Sequence, residues 1–173
     1  MKTLLDDKGI KSTLERMAKE IAASIPRGCP VGIIGIRQRG DDLARRLIPL
    51  LEARGVGDVA MGTVDITMYR DDLAEIGPSA VVRTTEINFD VEGRYLVLVD
   101  DVIYTGRSAR AALDAIIDLG RPKAIRLAVL VGRDGRELPI QPDFVGVKTG
   151  PEVTQVAVRV KETDGADRVE VES

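Results

Sequence analysis

The sequence predicts an α/β fold in which a mainly parallel central sheet is flanked by helices. Short apolar runs typical of strands buried on both faces recur along the chain. Amphipathic segments with a 3.6-residue period alternate with these runs. The chain has 173 residues, 44% of them apolar, which is the size and composition of one domain with a real core. We therefore predict a single domain over residues 1–173.

The first part of the chain alternates between helix and strand. Ser12 and Glu15 have the spacing of a capping box at the start of an amphipathic helix, and Gly55 is a helix stop. The predicted elements are a helix over 12–25, a strand over 31–36, a loop over 37–40, a helix begun by Asp41 or Asp42, and a β-like segment over 59–68.

The segment over residues 69–88 is polar, charged and interrupted by Gly77 and Pro78, with little periodicity. Loops this long in a compact domain are usually functional. We predict an irregular loop here, with a functional or mobile role.

The remaining chain continues the alternation. An apolar strand over 95–99 leads directly into Asp100 and Asp101, and Gly120 ends the helix that follows. The predicted elements are this strand, a helix over 108–119, a strand over 125–131, and a closing hairpin in which Asp164 and Gly165 form the turn.

Composition excludes several classes of function. The chain has no histidine, so His-dependent nucleophiles and His-ligated zinc are excluded, and its single cysteine, Cys29, cannot form an intrachain disulfide. A net charge of −3 gives no general attraction to nucleic acid. No apolar run has the ~20 residues of a membrane span, and the start of the chain lacks the pattern of a signal peptide. We expect a cytoplasmic protein that binds no membrane.

The segment over residues 97–108 carries the clearest chemical pattern. A buried strand ends at Asp100 and Asp101, and a Thr-Gly-x-Ser turn then leads into a helix. Ligands of open α/β sheets bind at the carboxyl ends of strands, and exposed N–H groups at a helix N-terminus bind anions. Adjacent carboxylates suit the vicinal hydroxyls of a ribose. The combination predicts a sugar-phosphate site.

A purely structural interpretation exists for each half of this segment. The two aspartates could simply end a strand, and Ser108 could simply cap a helix. Either feature alone favours that interpretation, whereas their order after a buried strand favours a site. The chain contains no competing GxGxxG or Walker A sequence.

The same segment resembles the phosphoribosyl-pyrophosphate motif of type I phosphoribosyltransferases. Within that group the chain resembles the PyrR family, whose members combine uracil phosphoribosyltransferase activity with attenuation of pyrimidine operons. The resemblance covers about residues 8–172 and is carried by the stretches over 64–73, 106–114, 120–122 and 136–140.

The resemblance implies a type I phosphoribosyltransferase fold with a lid at about 69–88 and a small hood at about 132–155. It implies the substrates phosphoribosyl pyrophosphate and uracil, the product UMP, and a homodimer or homotetramer. The implied site has four parts: Asp100, Asp101 and Arg70 as catalytic residues; Thr105, Gly106, Arg107 and Ser108 around the 5′-phosphate; Arg37, Gln38, Arg39 and Gly40 as the pyrophosphate loop; and Val131, Gly132 and Arg133 in the base hood.

Mg²⁺ is the implied cofactor, carried mainly by phosphoribosyl pyrophosphate. The protein groups available to it are Asp100, Asp101 and Asp134. The family has an acidic residue at the position of Gly132 and a histidine at the position of Gly135. Asp134 is therefore a candidate substitute for the missing acidic residue.

The resemblance also implies binding to a pyrimidine leader mRNA. The candidate RNA-binding residues are Arg16, Lys19, Arg136 and Lys148. Basic residues expected at Gln141 and Val147 are absent, and Glu15 adds a carboxylate to the same surface. Because phosphate contacts dominate nucleic-acid affinity, we expect weaker RNA binding than is usual in the family.

Three alternatives remain open from the sequence: a phosphoribosyltransferase for another base without RNA binding, a regulator with vestigial catalysis, and an inactive phosphoribosyl-binding module.

Overall fold

The computed structural model describes residues 1–69 and 79–173. Within these ranges the chain forms two sheets and four helices. The larger sheet has the strand order β4-β3-β2-β5-β6-β7. Its strands are β2 (Val31–Arg37), β3 (Ala60–Tyr69), β4 (Ser79–Glu86), β5 (Tyr95–Ile103), β6 (Ala124–Arg133) and β7 (Phe144–Thr149). Only the pairing of β3 with β4 is antiparallel in this sheet as described. The predicted mainly parallel α/β fold is confirmed.

Helices cover both faces of the larger sheet. The helices are α1 (Asp7–Ser24), α2 (Gly40–Glu52), α3 (Arg107–Ile117) and the short α4 (Lys161–Asp164). Alternate strand residues face opposite sides: Val97 and Val99 pack with α1 and α2, while Leu96 and Leu98 pack with α3. Burial on both faces is why these strands read as nearly continuous apolar runs.

A second, three-stranded sheet is formed by β1 (Lys2–Leu5), β9 (Arg168–Glu172) and β8 (Gln155–Arg159), in that order. The predicted closing hairpin is confirmed as the antiparallel pair β8–β9. Val158, Val160 and Val169 from this part of the chain pack into the same core as α1 and α2. The small sheet is therefore attached to the α2 side of the domain.

Several predicted boundaries were wrong. Helix α1 begins five residues before Ser12, because Asp6 caps it by accepting a hydrogen bond from the Gly9 amide at 2.7 Å. Ser12 instead lies inside the helix and donates to the Gly9 carbonyl. Neither Asp41 nor Asp42 caps α2, since that position is taken by Arg39. Helix α3 ends at Ile117, which is 59% exposed, rather than at the predicted residue 119.

The prediction that residues 69–88 are irregular is wrong for the part that the structure describes as β4. Residues 79–86 pair antiparallel with β3, because Val and Thr residues there favour an extended chain against a strand partner. Residues 70–78, including Arg70, lie outside the described residues. The proposed hood range of 132–155 includes β7, which is an edge strand of the larger sheet.

No helix in residues 1–69 and 79–173 is long and apolar enough to cross a membrane.

Candidate active site at the carboxyl ends of the central strands

The predicted site segments lie side by side because β2 and β5 are adjacent parallel strands. Gly35 of β2 aligns with Val99 of β5. The residues that follow these two strands therefore lie together at the carboxyl ends of the parallel strands. Helix α2 begins directly above this edge. A Cβ added to Gly40 would lie 2.5 Å from the Val99 carbonyl oxygen and 3.0 Å from Asp100 Cα. Gly40 is therefore required for the close approach of α2 to β5.

Asp100 and Asp101 lie within β5, because the strand continues to Ile103 rather than ending at Val99. Asp100 is only 9% exposed. Burial, together with the neighbouring Asp101 carboxylate, raises the pKa of Asp100 well above its ordinary value. Burial also raises the pKa of Asp101, an effect opposed by hydrogen bonds and by the charge of Arg39. Two acidic groups with raised pKa values at a sheet edge are typical of a functional site.

The turn after β5 leads into the N-terminus of α3. Gly106 has a φ of +96° and caps α3 without a side-chain hydrogen bond among those described. The Arg107 amide donates to Thr105 Oγ1 at 3.3 Å, so the threonine hydroxyl sits over the first turn of the helix. The geometry brings together all four residues predicted for the 5′-phosphate: Thr105, Gly106, Arg107 and Ser108. Exposed N–H groups at such a helix start suit a phosphate.

The irregular segment that follows β6 packs against this turn. The amides of Glu137 and Leu138 donate to the Thr105 carbonyl at 3.0 and 3.3 Å. Arg107 Nε donates to Glu137 Oε1 at 3.1 Å. These contacts place Glu137 and Leu138, which the sequence assigned only to the broad hood range, against the turn after β5.

The loop predicted to bind pyrophosphate follows β2. The peptide between Arg37 and Gln38 is cis, and Arg39 has a φ of +76° at the start of α2. Arg37 Nη2 lies 3.3 Å from Glu86 Oε2, which connects the loop to β4. Gln38 is exposed. Of the two arginines in this loop, Arg39 is the one whose charge acts on Asp101.

Arg39 is held by a residue that sequence reasoning missed. Its Nε and Nη2 donate to Asp164 Oδ2 and Oδ1 at 3.0 and 2.9 Å. Asp164 is 125 residues away in the chain, in the Asp-Gly turn predicted only as a hairpin connection. A bidentate pair of this kind has no short-range sequence pattern.

A cavity of about 330 Å³ opens beside the phosphate turn. Tyr104 forms one wall, and Gly132 and Arg133 at the end of β6 form another. The Arg133 guanidinium lies 3.9 Å from the centre of the Tyr104 ring, a cation–π contact. Val131, also predicted for the hood, is fully buried in the core between β5 and β7 and does not line the cavity.

The predicted RNA-binding residues fall into two groups. Arg136 and Lys148 line the rim of the cavity, together with Gln141, whose Oε1 accepts from Arg136 Nη1 at 3.3 Å. Arg16 on α1 is engaged internally, since its Nη2 donates to the Val145 and Gly146 carbonyls at 3.3 and 2.5 Å. Lys19 is exposed one turn further along α1.

The residues described do not form a protein-only metal site. Within residues 1–69 and 79–173 no three His, Cys, Asp or Glu side chains are grouped closely enough to hold a metal. Asp134 is exposed on the cavity side of the site. The donor set fits a cation that brings most of its own oxygen ligands, as Mg²⁺ does when bound to phosphates.

Comparisons with known proteins agree with this geometry. The phosphoribosyl transferase domain family matches residues 1–163. The bifunctional protein PyrR of Pelotomaculum thermopropionicum is 50% identical over 168 residues, covering 96% of this chain and 92% of the relative. PyrR of Thermus thermophilus is 48% identical over 169 residues, covering 97% and 93%.

Solved structures are similar in fold at low identity. A hypoxanthine phosphoribosyltransferase from Trypanosoma cruzi has a TM-score of 0.76 at 19% identity, covering 99% of this chain and 95% of that one. A hypoxanthine phosphoribosyltransferase from Staphylococcus aureus has a TM-score of 0.73 at 15% identity, covering 88% and 79%. These two similarities establish the fold.

Proposed function

Since this chain belongs to the phosphoribosyltransferase family and, within it, to the PyrR proteins, we propose that it makes UMP and pyrophosphate from uracil and phosphoribosyl pyrophosphate. The observation that carries this proposal is the continuous path from the buried pair Asp100 and Asp101, through Gly106, to the start of α3. That path offers carboxylates to a ribose and N–H groups to its 5′-phosphate.

The reaction needs no covalent nucleophile. The bond between ribose C1 and a pyrophosphate oxygen breaks, the bond between C1 and uracil N1 forms, and the N1 proton leaves. The ribose ring carries positive charge at the transition state, while the leaving pyrophosphate gains negative charge. A chain without histidine can therefore perform it by positioning and electrostatics.

The carboxylate of Asp101 accepts hydrogen bonds from ribose hydroxyls in this proposal, beside the more deeply buried Asp100. Charged acceptors make the stronger hydrogen bonds. Arg39 is the cation that acts on Asp101 in the part of the chain the structure describes. Arg37 and Arg39, with Gln38 and Gly40, bind the leaving pyrophosphate, and Arg70 is a further candidate.

Mg²⁺ bound to the pyrophosphate oxygens supplies charge neutralisation for the leaving group. Asp100, Asp101 and Asp134 are the residues that would hold that ion. The exposed position of Asp134 at the cavity supports it as the substitute for the acidic residue absent at Gly132.

The cavity beside Tyr104 is the proposed base site. Its volume of about 330 Å³ accommodates a pyrimidine with room for water. Gly132 leaves space at the end of β6, and Arg133 lines the cavity beside the Tyr104 ring. Ile103, Ile140 and Val145 add apolar lining, as is usual for small-molecule sites.

The second proposed function is regulation of pyrimidine genes through a leader mRNA, with UMP strengthening the binding. The placement of Arg136 and Lys148 on the rim of the proposed base site favours it, because a bound nucleotide and RNA would then share one surface. The same proposal includes a cytoplasmic homodimer or homotetramer.

A base-panel assay tests the enzymatic proposal. Purified protein is incubated with Mg²⁺, phosphoribosyl pyrophosphate and uracil, hypoxanthine, guanine or adenine in turn, and nucleotide formation is measured. We expect UMP formation with at least a hundredfold preference in kcat/KM for uracil over the purines. Turnover of a purine but not of uracil would contradict the proposed specificity.

A further inference from the structure

Arg39 and Asp164 form a two-point contact at the proposed pyrophosphate loop. Both hydrogen bonds are of normal length, at 3.0 and 2.9 Å. The side chains are 30% and 13% exposed, so the contact is partly shielded from water. A fork of this kind fixes the plane of the guanidinium as well as its position.

Asp164 is itself held in place by its own short helix. Its Oδ2 also accepts from the Val160 amide at 2.9 Å. The adjacent Thr163 donates through Oγ1 to Asp42 Oδ2 at 2.6 Å, which ties α4 to the first turn of α2. Asp42 is 7% exposed. The carboxylate that meets Arg39 is thus pre-organised from two sides.

The contact leaves Arg39 available to a ligand. Arg39 has five N–H donors, and only two of them are used in the contact with Asp164. Part of the guanidinium remains open to solvent. The Arg39 charge also acts on Asp101, whose carboxylate it favours. Arg39 therefore connects the carboxylate proposed to bind the ribose, the proposed pyrophosphate loop and the C-terminal part of the chain.

We propose that Asp164 is a positioning residue that holds Arg39, and with it the loop over residues 37–40, in the arrangement that binds the pyrophosphate group of phosphoribosyl pyrophosphate. The inference rests on the proposed function, which supplies the ligand. Asp164 does not touch the ligand itself. It acts by reducing the number of conformations that Arg39 must abandon on binding.

The chain contains a matched control. Asp167 lies three residues beyond Asp164, accepts from a backbone amide (Lys161, 2.7 Å), and forms a two-point contact with an arginine of α2 (Arg46, 2.7 and 2.9 Å). Arg46 is seven residues further along the chain than Arg39, away from the loop over 37–40. Asp167→Asn therefore repeats the chemistry of Asp164→Asn without involving that loop.

The experiment compares wild type, Asp164→Asn and Asp167→Asn by calorimetric titration with phosphoribosyl pyrophosphate and Mg²⁺, alongside thermal unfolding. An asparagine keeps one acceptor for the backbone amide but loses the charge and the second acceptor. We expect Kd to rise about tenfold or more in Asp164→Asn and less than about twofold in Asp167→Asn. In turnover, KM for phosphoribosyl pyrophosphate should rise in Asp164→Asn with kcat within about threefold of wild type.

Unchanged affinity in Asp164→Asn, or equal losses in both variants, would overturn the positioning role and leave only a structural one. The titration is independent of the uracil assignment. A wild-type protein that binds phosphoribosyl pyrophosphate but does not turn over uracil would refute the proposed activity, while the comparison of the two variants would still decide the role of Asp164. A wild-type protein that does not bind phosphoribosyl pyrophosphate would overturn both.

Discussion

The side chain of Asp100 folds back onto the amide of its neighbour, Asp101, with Asp100 Oδ1 accepting from Asp101 N at 2.8 Å. Asp101 repeats the arrangement by accepting from Val102 N through its own Oδ1 at 2.8 Å. Asp100 is the more buried of the two, and Asp101 is the one on which the Arg39 charge acts. The two carboxyl groups therefore have different environments, and we expect different consequences when each is replaced.

Asp101→Asn should lower kcat/KM by about a hundredfold or more, because an amide accepts ribose hydroxyl bonds more weakly than a carboxylate where charge develops. Its carbonyl oxygen can still accept from Val102 N, so the melting temperature should not fall. Steady-state kinetics and thermal unfolding measure both effects. Asp118→Asn at the end of α3 is the control. An Asp101→Asn enzyme within threefold of wild type would refute a role on the ribose.

Asp100→Asn should stabilise the protein at neutral pH. Burial raises the pKa of Asp100 in the folded state, so the folded protein binds more protons than the unfolded chain above the ordinary pKa of about 4. Stability is then lost as pH rises from that value towards the folded pKa. Asparagine removes this loss. In denaturant unfolding, the free energy of unfolding of Asp100→Asn should exceed that of the wild type by a difference that is small at pH 4 and grows towards pH 7. A variant less stable than wild type at pH 7 would contradict the prediction.

Arg46→Met should destabilise the fold by about 1–3 kcal/mol, since it leaves two carboxylates without their cation. Arg46 contacts Glu162 and Asp167, and its hydrogen bond lowers the pKa of Asp167. A lowered carboxylate pKa gives stability that is present above about pH 4 and is lost as pH falls through the folded value. The difference from wild type should therefore shrink below pH 4. Denaturant unfolding at several pH values measures this difference. The control is Arg110→Met, which removes an exposed ion pair between Arg110 and Asp114 on α3.

Gly135→Ala should displace Tyr104 from the proposed base site. Gly135 has a φ of +133°, and an added Cβ would overlap Cε1 of the Tyr104 ring. We expect KM for uracil to rise about tenfold as the cavity wall shifts. Gly28→Ala separates this effect from backbone strain, because Gly28 also has a positive φ (+72°) but nothing within 4 Å of the added carbon. Both variants lose about 1 kcal/mol to the left-handed backbone, and equal KM values would contradict a role for the Tyr104 wall.

The sequence was sufficient for those parts of the fold and site that depend on local pattern. The buried strands β2, β5 and β6 were predicted from apolar runs, and the turn between β5 and α3 was predicted from a glycine placed between a strand and a helix. Strand β4 was missed because its alternation is broken by charged residues and it becomes a strand only by pairing with β3. Strand β1 is four residues long and depends on β9, 160 or more positions away.

The contacts that organise the site are non-local and therefore left no sequence pattern. The sequence indicates only that Arg39 is a loop arginine, whereas in the structure it contacts Asp164 of α4. The sequence around Tyr104 indicates only a turn, whereas in the structure the end of β6 places Arg133 over its ring. In both cases the partner is set by the packing of a later element, which spacing along the chain cannot report.

RNA binding should be weaker than is usual in the family. Besides the substituted residues, two of the remaining arginines are engaged by groups of the protein itself. Arg16 donates hydrogen bonds to the Val145 and Gly146 carbonyls and pairs with Glu20. It is therefore not a free cation for a phosphate. Gln141 occupies the rim position where the family has a basic residue, and its Oε1 accepts from Arg136. Lys19, Lys148 and Arg136 remain exposed.

Gln141→Arg should restore part of this affinity, because it adds a cation beside Arg136 and Lys148 on the cavity rim. One added phosphate contact steepens the dependence of log affinity on log salt by about 0.7–0.9. Gel-shift titration against the organism's own pyrimidine leader, with and without UMP at several salt concentrations, measures this slope. Leu119→Arg adds the same charge at the far end of α3 and should leave the slope unchanged. Tight, UMP-stimulated binding by the wild type, with no gain from Gln141→Arg, would show that the lost cations do not limit recognition of the transcript.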